Sequence, residues 1–204
     1  MERASVLVGT NEPALSVGKA EREAQVNRRL GFWLFLASEL LIFCGLIGGF
    51  LVVKGYAATW PEHELGSILL ASVNTFALLA SSLTVVLGID AIRMRNQRDR
   101  LALFLGISAA LGALFLGGQA IEYKHFIVDL GHGFGDPFGT AFFVLTGLHG
   151  LHVLVGVVWA AMLIARARQG AYTSENYTTV EMFGLYWHFV DLVWILIFTI
   201  VYLI

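Results

Sequence analysis

Residues 138–165 read FGTAFFVLTGLHGLHVLVGVVWAAMLIA, 28 consecutive positions without one Asp, Glu, Lys or Arg. As a helix rising 1.5 Å per residue this stretch covers roughly 42 Å, more than the ~30 Å hydrocarbon core of a bilayer. Working outward from it, four further apolar stretches of similar length appear: Leu30–Val53, Ser67–Ile92, Leu101–Ile121 and Met182–Ile204. Inside all five the charged residues are Glu39, Asp90 and Asp191, and the rest of the charge lies between or before them. Lipid penalises charge and water does not, so this sorting predicts an all-α polytopic membrane protein with five transmembrane helices. Whole-chain composition agrees. Hydrophobic residues make up 57% and charged residues 14%, with mean hydropathy +0.74, against roughly 45–50% and about 25% in soluble domains. Such a chain is neither disordered nor, with thirteen Lys and Arg, a carrier of an extended nucleic-acid face. Its single cysteine, Cys44, allows no intrachain disulfide and no centre that needs several thiolates.

The basic residues predict direction. Arg3, Lys19, Arg22, Arg28 and Arg29 precede the first span, Arg93, Arg95, Arg98 and Arg100 follow the second, and Arg166 and Arg168 follow the fourth. The opposite connections hold only Lys54 and Lys124. By the positive-inside rule the N-terminus is cytoplasmic and the C-terminus external. Residues 1–29 are polar, mixed in charge and lack an apolar core before a cleavage site. They read as a cytoplasmic tail ahead of a five-helix membrane domain at 30–204. No connection is long enough for a soluble domain. Gly131, Gly133, Gly135 and Pro137 mark an ordered external loop before the fourth span. Gly45, Gly48 and Gly49, and likewise Gly147 and Gly150, are small-residue ridges expected to let helices approach closely.

The groups that need a reason to be at membrane depth are Glu39, His149, His152, His188 and Asp191. A charge there costs on the order of 2.5–3.5 kcal/mol on insertion scales, so each should face protein, water or a headgroup. Glu39 and Asp191 lie roughly 14 Å in from the cytoplasmic ends of their spans. His149 and His152 share a helix face, as do His188 and Asp191. A metal is the sharp reading of the histidines. A bis-histidine haem, however, needs ligands on opposing helices at one depth, and a carboxylate-bridged di-metal site needs repeated Glu-x-x-His pairs, which do not occur. Hydrogen bonding between helices and proton transfer both remain open as roles. No nucleophile elbow, phosphate loop or dinucleotide fingerprint is present.

Five strings carry a resemblance. Gly139–Val153 (GTAFFVLTGLHGLHV) and Tyr186–Trp194 (YWHFVDLVW) are joined, in order and spacing, by Leu36–Leu40 (LASEL), Asn74–Ser81 (NTFALLAS) and Gln119–Tyr123 (QAIEY). Together they resemble haem-copper oxidase subunit III, in the short bacterial form that lacks the first two of seven helices. That resemblance implies a multi-pass protein of the bacterial cytoplasmic membrane. It implies a non-catalytic subunit of a respiratory terminal oxidase that reduces oxygen to water with proton translocation. No cofactor is expected in this chain, with haem and copper in partner subunits. It also implies direct contact with subunit I, assembly with subunit II and small subunits, bound phospholipid, and no nucleic acid. Carried onto this sequence, Glu39 is the buried carboxylate near subunit I. His149, His152, His188, Asp191 and Glu122 are further buried polar or proton-supporting positions, and Arg166 is a lipid-headgroup candidate. A free-standing proton-conducting protein built on Glu39, His188 and Asp191, and an accessory subunit of a nitric oxide reductase, are the alternatives. The electron donor, cytochrome c or quinol, is not written in this chain.

Overall fold

The computed structural model describes residues 12–57, 65–131 and 133–204. Five helices carry it: α1 (Glu12–Tyr56), α2 (Leu65–Arg95), α3 (Arg98–Lys124), α4 (Pro137–Arg168) and α5 (Thr178–Phe198). All five are long and apolar enough to cross a membrane. Short π-helical turns at His125–Asp129 and Thr199–Leu203 extend α3 and α5. The only β pairing among the described residues is an isolated bridge, Thr173 to Asn176.

Local sequence explains the ends. Between α2 and α3 the chain turns within two residues, and Asn96 takes a left-handed conformation, φ 50°. Asparagine enters that region more readily than most residues, and here Asn96 Oδ1 also accepts from Ser174 N of the α4–α5 connection at 3.1 Å. At the start of α4, Asp136 Oδ1 caps the helix by accepting from Gly139 N at 2.5 Å, with Pro137 in the first turn. That is the arrangement an N-terminus favours, since its leading N–H groups lack intrahelical partners. α1 is longer than the apolar stretch within it, because residues 12–29 are helical and continuous with the first span.

Residues up to Ser38 cluster apart from Glu39–Ile204. Over residues 23–38 most side chains face outward, Trp33 included, and Ser38 Oγ donates to Phe35 O at 2.7 Å. Within the second unit α2, α3, α4 and α5 close into a bundle, each packing on two of the others: α2 on α3, α3 on α4, α4 on α5, α5 on α2. Trp187 of α5, fully buried, touches the other three helices of the bundle. Its indole Nε1 donates to Ser81 Oγ of α2 at 2.8 Å. Its six-membered ring lies over Gly112 of α3 and Gly156 of α4, where any Cβ would collide with it. Trp194 repeats the theme one level on, donating to Thr75 Oγ1 at 2.9 Å.

The two glycine ridges behave differently. Gly150 lets Gln119 of α3 lie against α4, as a ridge should. Gly45, Gly48 and Gly49 meet nothing, so the expected close approach on α1 does not occur within this chain. Gly45 and Gly49 border an open groove of about 480 Å³ between α1 and residues from Gly135 in the preceding loop to Leu145 in α4. The α1 contact is made instead by large side chains such as buried Phe43, whose ring meets His149 and His152 of α4.

Candidate functional site

In the bundle half of α1, Glu39 Oε2 lies 3.1 Å from His152 Nε2 of α4. Both side chains are largely enclosed, at 16% and 13% exposure. The other imidazole nitrogen, Nδ1, stands 2.8 Å from Leu148 O one turn earlier. A carbonyl only accepts, so Nδ1 carries a proton, and Nε2 and the carboxyl oxygen share the second one. Tyr186 Oη of α5 donates to His152 O at 3.0 Å, and Phe43 sets its ring edge-on to the imidazole at 5.1 Å.

His149, one turn along the same helix, has a different environment. It is fully buried, with the rings of Phe43, Phe115 and Trp194 around it, the last at 4.9 Å. Neither ring nitrogen has a hydrogen-bond partner. The shared face therefore does not make His149 and His152 a joint site: one is paired, the other lies in an aromatic box.

His188 and Asp191 also part company. His188 Nδ1 is 2.5 Å from Ser82 Oγ of α2. The buried Asp191 carboxyl interacts with Ser82 without closing a hydrogen bond of normal geometry. Three residues apart on α5, the two are held by α2 and not by each other. Glu122 belongs to a third group, at the far end of α3. Its Oε2 accepts from Tyr202 Oη at 2.8 Å. Beside it Gln119 Nε2 donates to Thr146 O (2.7 Å) and Tyr123 Oη (3.0 Å). Thr146 Oγ1 spends its proton on Phe142 O, so Tyr123 Oη donates to Thr146 Oγ1 at 2.7 Å.

Arg166 is exposed in the last turn of α4. Its guanidinium acts on the Tyr172 phenol, whose buried position pushes its pKa up while Arg166 opposes that.

Hydroxyl and amide groups are what the sequence reading passed over. Ser81, Thr84 and Ser108 bond across α2 and α3, with Thr84 Oγ1 and Ser108 Oγ 2.5 Å apart and Ser108 Oγ 3.1 Å from Ser81 O. The available signal was small polar residues at helical spacing on α2: Ser81 and Thr84 three apart, and Asn74, Thr75, Leu78 and Ser81 all buried on one face. Among the described residues no three of His, Cys, Asp and Glu converge as a metal site would require.

With this geometry in hand, similarity to known proteins is informative. Residues 11–204 match the sequence model of the family described as cytochrome c oxidase subunit III. The chain is 40% identical over 179 residues to "Cytochrome c oxidase subunit 3" of Alkalihalophilus pseudofirmus, covering 87% of this chain and 86% of the relative. It is 39% identical over 183 residues to the protein of the same name from Bacillus subtilis, covering 87% and 86%. To "Cytochrome bo(3) ubiquinol oxidase subunit 3" of Pseudomonas aeruginosa it is 34% identical over 181 residues, covering 87% and 85%.

Proposed function

The chain belongs to the cytochrome c oxidase subunit III family, and from that premise we propose that it serves as the non-catalytic third subunit of a bacterial terminal oxidase. In this reading haem and copper are held by partner subunits, subunit I is the direct neighbour, and the complex reduces oxygen to water while moving protons. Relatives named for both cytochrome c and ubiquinol oxidases support that placement. The chain lies in the cytoplasmic membrane with its N-terminal segment inside, as its arginine distribution favours. Its apolar outer faces and the groove beside Gly45 and Gly49 suit lipid acyl chains.

The observation that carries the mechanism is the Glu39–His152 pair. Because Leu148 O fixes Nδ1–H, one proton is shared between two heavy atoms 3.1 Å apart. Within such a pair the proton passes between the imidazole nitrogen and the carboxyl oxygen by a short transfer that rotates neither side chain. Set between helices at membrane depth, it is suited to support proton uptake by subunit I, and it touches no reacting oxygen. Glu39→Gln tests this in the purified complex. The variant should assemble, keep its haem spectrum and start oxygen uptake at near-normal rate, while proton translocation or endurance over many turnovers declines. Loss of initial oxygen uptake in a fully assembled variant would show the supporting role to be wrong.

A further inference from the structure

At the arginine-rich end of the bundle the α2–α3 turn and the α4–α5 connection are stitched together. Arg98 Nε donates to Tyr172 O at 3.0 Å, and Ser174 N donates to Asn96 Oδ1 at 3.1 Å. Between the two connections lies a polar cavity of about 620 Å³ whose lining includes Gln97, Arg98, Asp99, Arg100, Arg168 and Gly170. Three guanidinium groups against one carboxylate leave it strongly positive. Arg100 and Arg168 have neither a hydrogen-bond nor an ion-pair partner among the described residues, and Arg98 spends only Nε. The cavity is also kept open by backbone. Gly170 adopts φ +81°, where other residues are strained, and a Cβ there would come within 3.1 Å of Arg98 Nη1. The first turn of α3, uncapped by any side chain, adds backbone N–H groups on the same side.

We propose that this cavity is a binding site for a phosphate group, held by Arg98, Arg100 and Arg168. Planar guanidinium forks match phosphate oxygens in bidentate geometry, and the first turn of α3 and the last turn of α4 bring three of these exposed groups to one open cavity. Arg166, two residues before Arg168 on α4, acts on Tyr172 and does not line it. The proposal does not depend on the oxidase reading. The phosphate could arrive on an anionic lipid or free in solution, and the test separates the two.

The full-length chain would be purified in mild detergent and offered phosphatidylglycerol or phosphatidylcholine, with retained lipid counted by native mass spectrometry. Inorganic phosphate would be titrated separately by calorimetry. The variants are R100Q with R168Q, R95Q as a charge loss at the same end outside the cavity, and G170A as a blockage that keeps every charge. One phosphatidylglycerol retained at least about tenfold more tightly than phosphatidylcholine, lost in the double variant and in G170A but kept in R95Q, supports the site with lipid as the source. No lipid preference, but phosphate binding that the double variant loses and R95Q keeps, supports it with a soluble source. If R95Q loses as much as the double variant, or nothing binds, the proposal is overturned.

Discussion

His149 and His152 are one turn apart on α4, yet their surroundings assign them opposite tasks. His152 is satisfied at both nitrogens, by Leu148 O and Glu39. His149 is satisfied at neither and lies among Phe43, Phe115 and Trp194. Removing a buried partner leaves the other group unsatisfied, at about 1–3 kcal/mol, whereas replacing a polar group that has no partner by an apolar one of similar shape is near neutral. Equilibrium unfolding in mixed micelles should therefore find H152F destabilised by about 1–3 kcal/mol and H149F within about 1 kcal/mol of the parent or more stable. Equal losses would mean that His149 has a partner, such as an enclosed water. The sequence exposed the ionisable members of the site, because charge in a 20-residue apolar run stands out. It could not pair them. Glu39 meets His152 across 113 positions, and the 3-residue spacing that groups His149 with His152 says which face they share but not which neighbour each one meets.

Helices in lipid gain little from hydrophobic burial against each other, so close packing and hydrogen bonds decide which faces meet. Trp187 shows how one side chain fastens four helices: its ring fits against two glycines while its N–H reaches a third helix. A methyl added at Gly156 meets the rigid indole directly, so Gly156→Ala should cost about 1–3 kcal/mol by overpacking. Gly48→Ala, where a Cβ meets nothing, should change stability by less than about 0.5 kcal/mol in the isolated chain. Measured by SDS-induced unfolding, an equal cost at both positions would contradict this packing. Five apolar runs were enough to identify five helices, because charge exclusion acts residue by residue along the sequence. Their ends were less legible. α3 runs on past Ile121 through Glu122 and Tyr123, which read as the start of a loop until Tyr202, 80 residues away, supplies the hydrogen bond that buries Glu122. The glycine ridges failed as a guide for a similar reason: spacing marks where a helix could come close, and only the bulky residues beside the glycines decide whether it does.

For the whole molecule the decisive quantity is the uneven distribution of arginine. Four arginines lie from Arg93 to Arg100 and two more at Arg166 and Arg168, and the structure brings both groups to one end of the bundle through the Arg98–Tyr172 and Asn96–Ser174 hydrogen bonds. The other end carries the His125–Asp129 pair and the Glu122–Tyr202 bond instead. Lysine and arginine within about 15–20 residues of a span's end are what orient a membrane protein. By that rule we propose that the arginine-rich end belongs in the cytoplasm. On that proposal a proton would approach Glu39 from the same end, roughly 14 Å away by helix rise. Reporter fusions after Gln97 and Arg168 should be active as cytoplasmic fusions, and those after Gly133 and Ile204 as external ones. Replacing Arg93, Arg95, Arg98 and Arg100 together by Gln should weaken that bias and produce a mixed population. If Gly133 instead reports from the cytoplasm in the parent chain, the orientation is inverted, and both the proton path through Glu39 and the source of phosphate at the arginine end would have to be assigned to the opposite face.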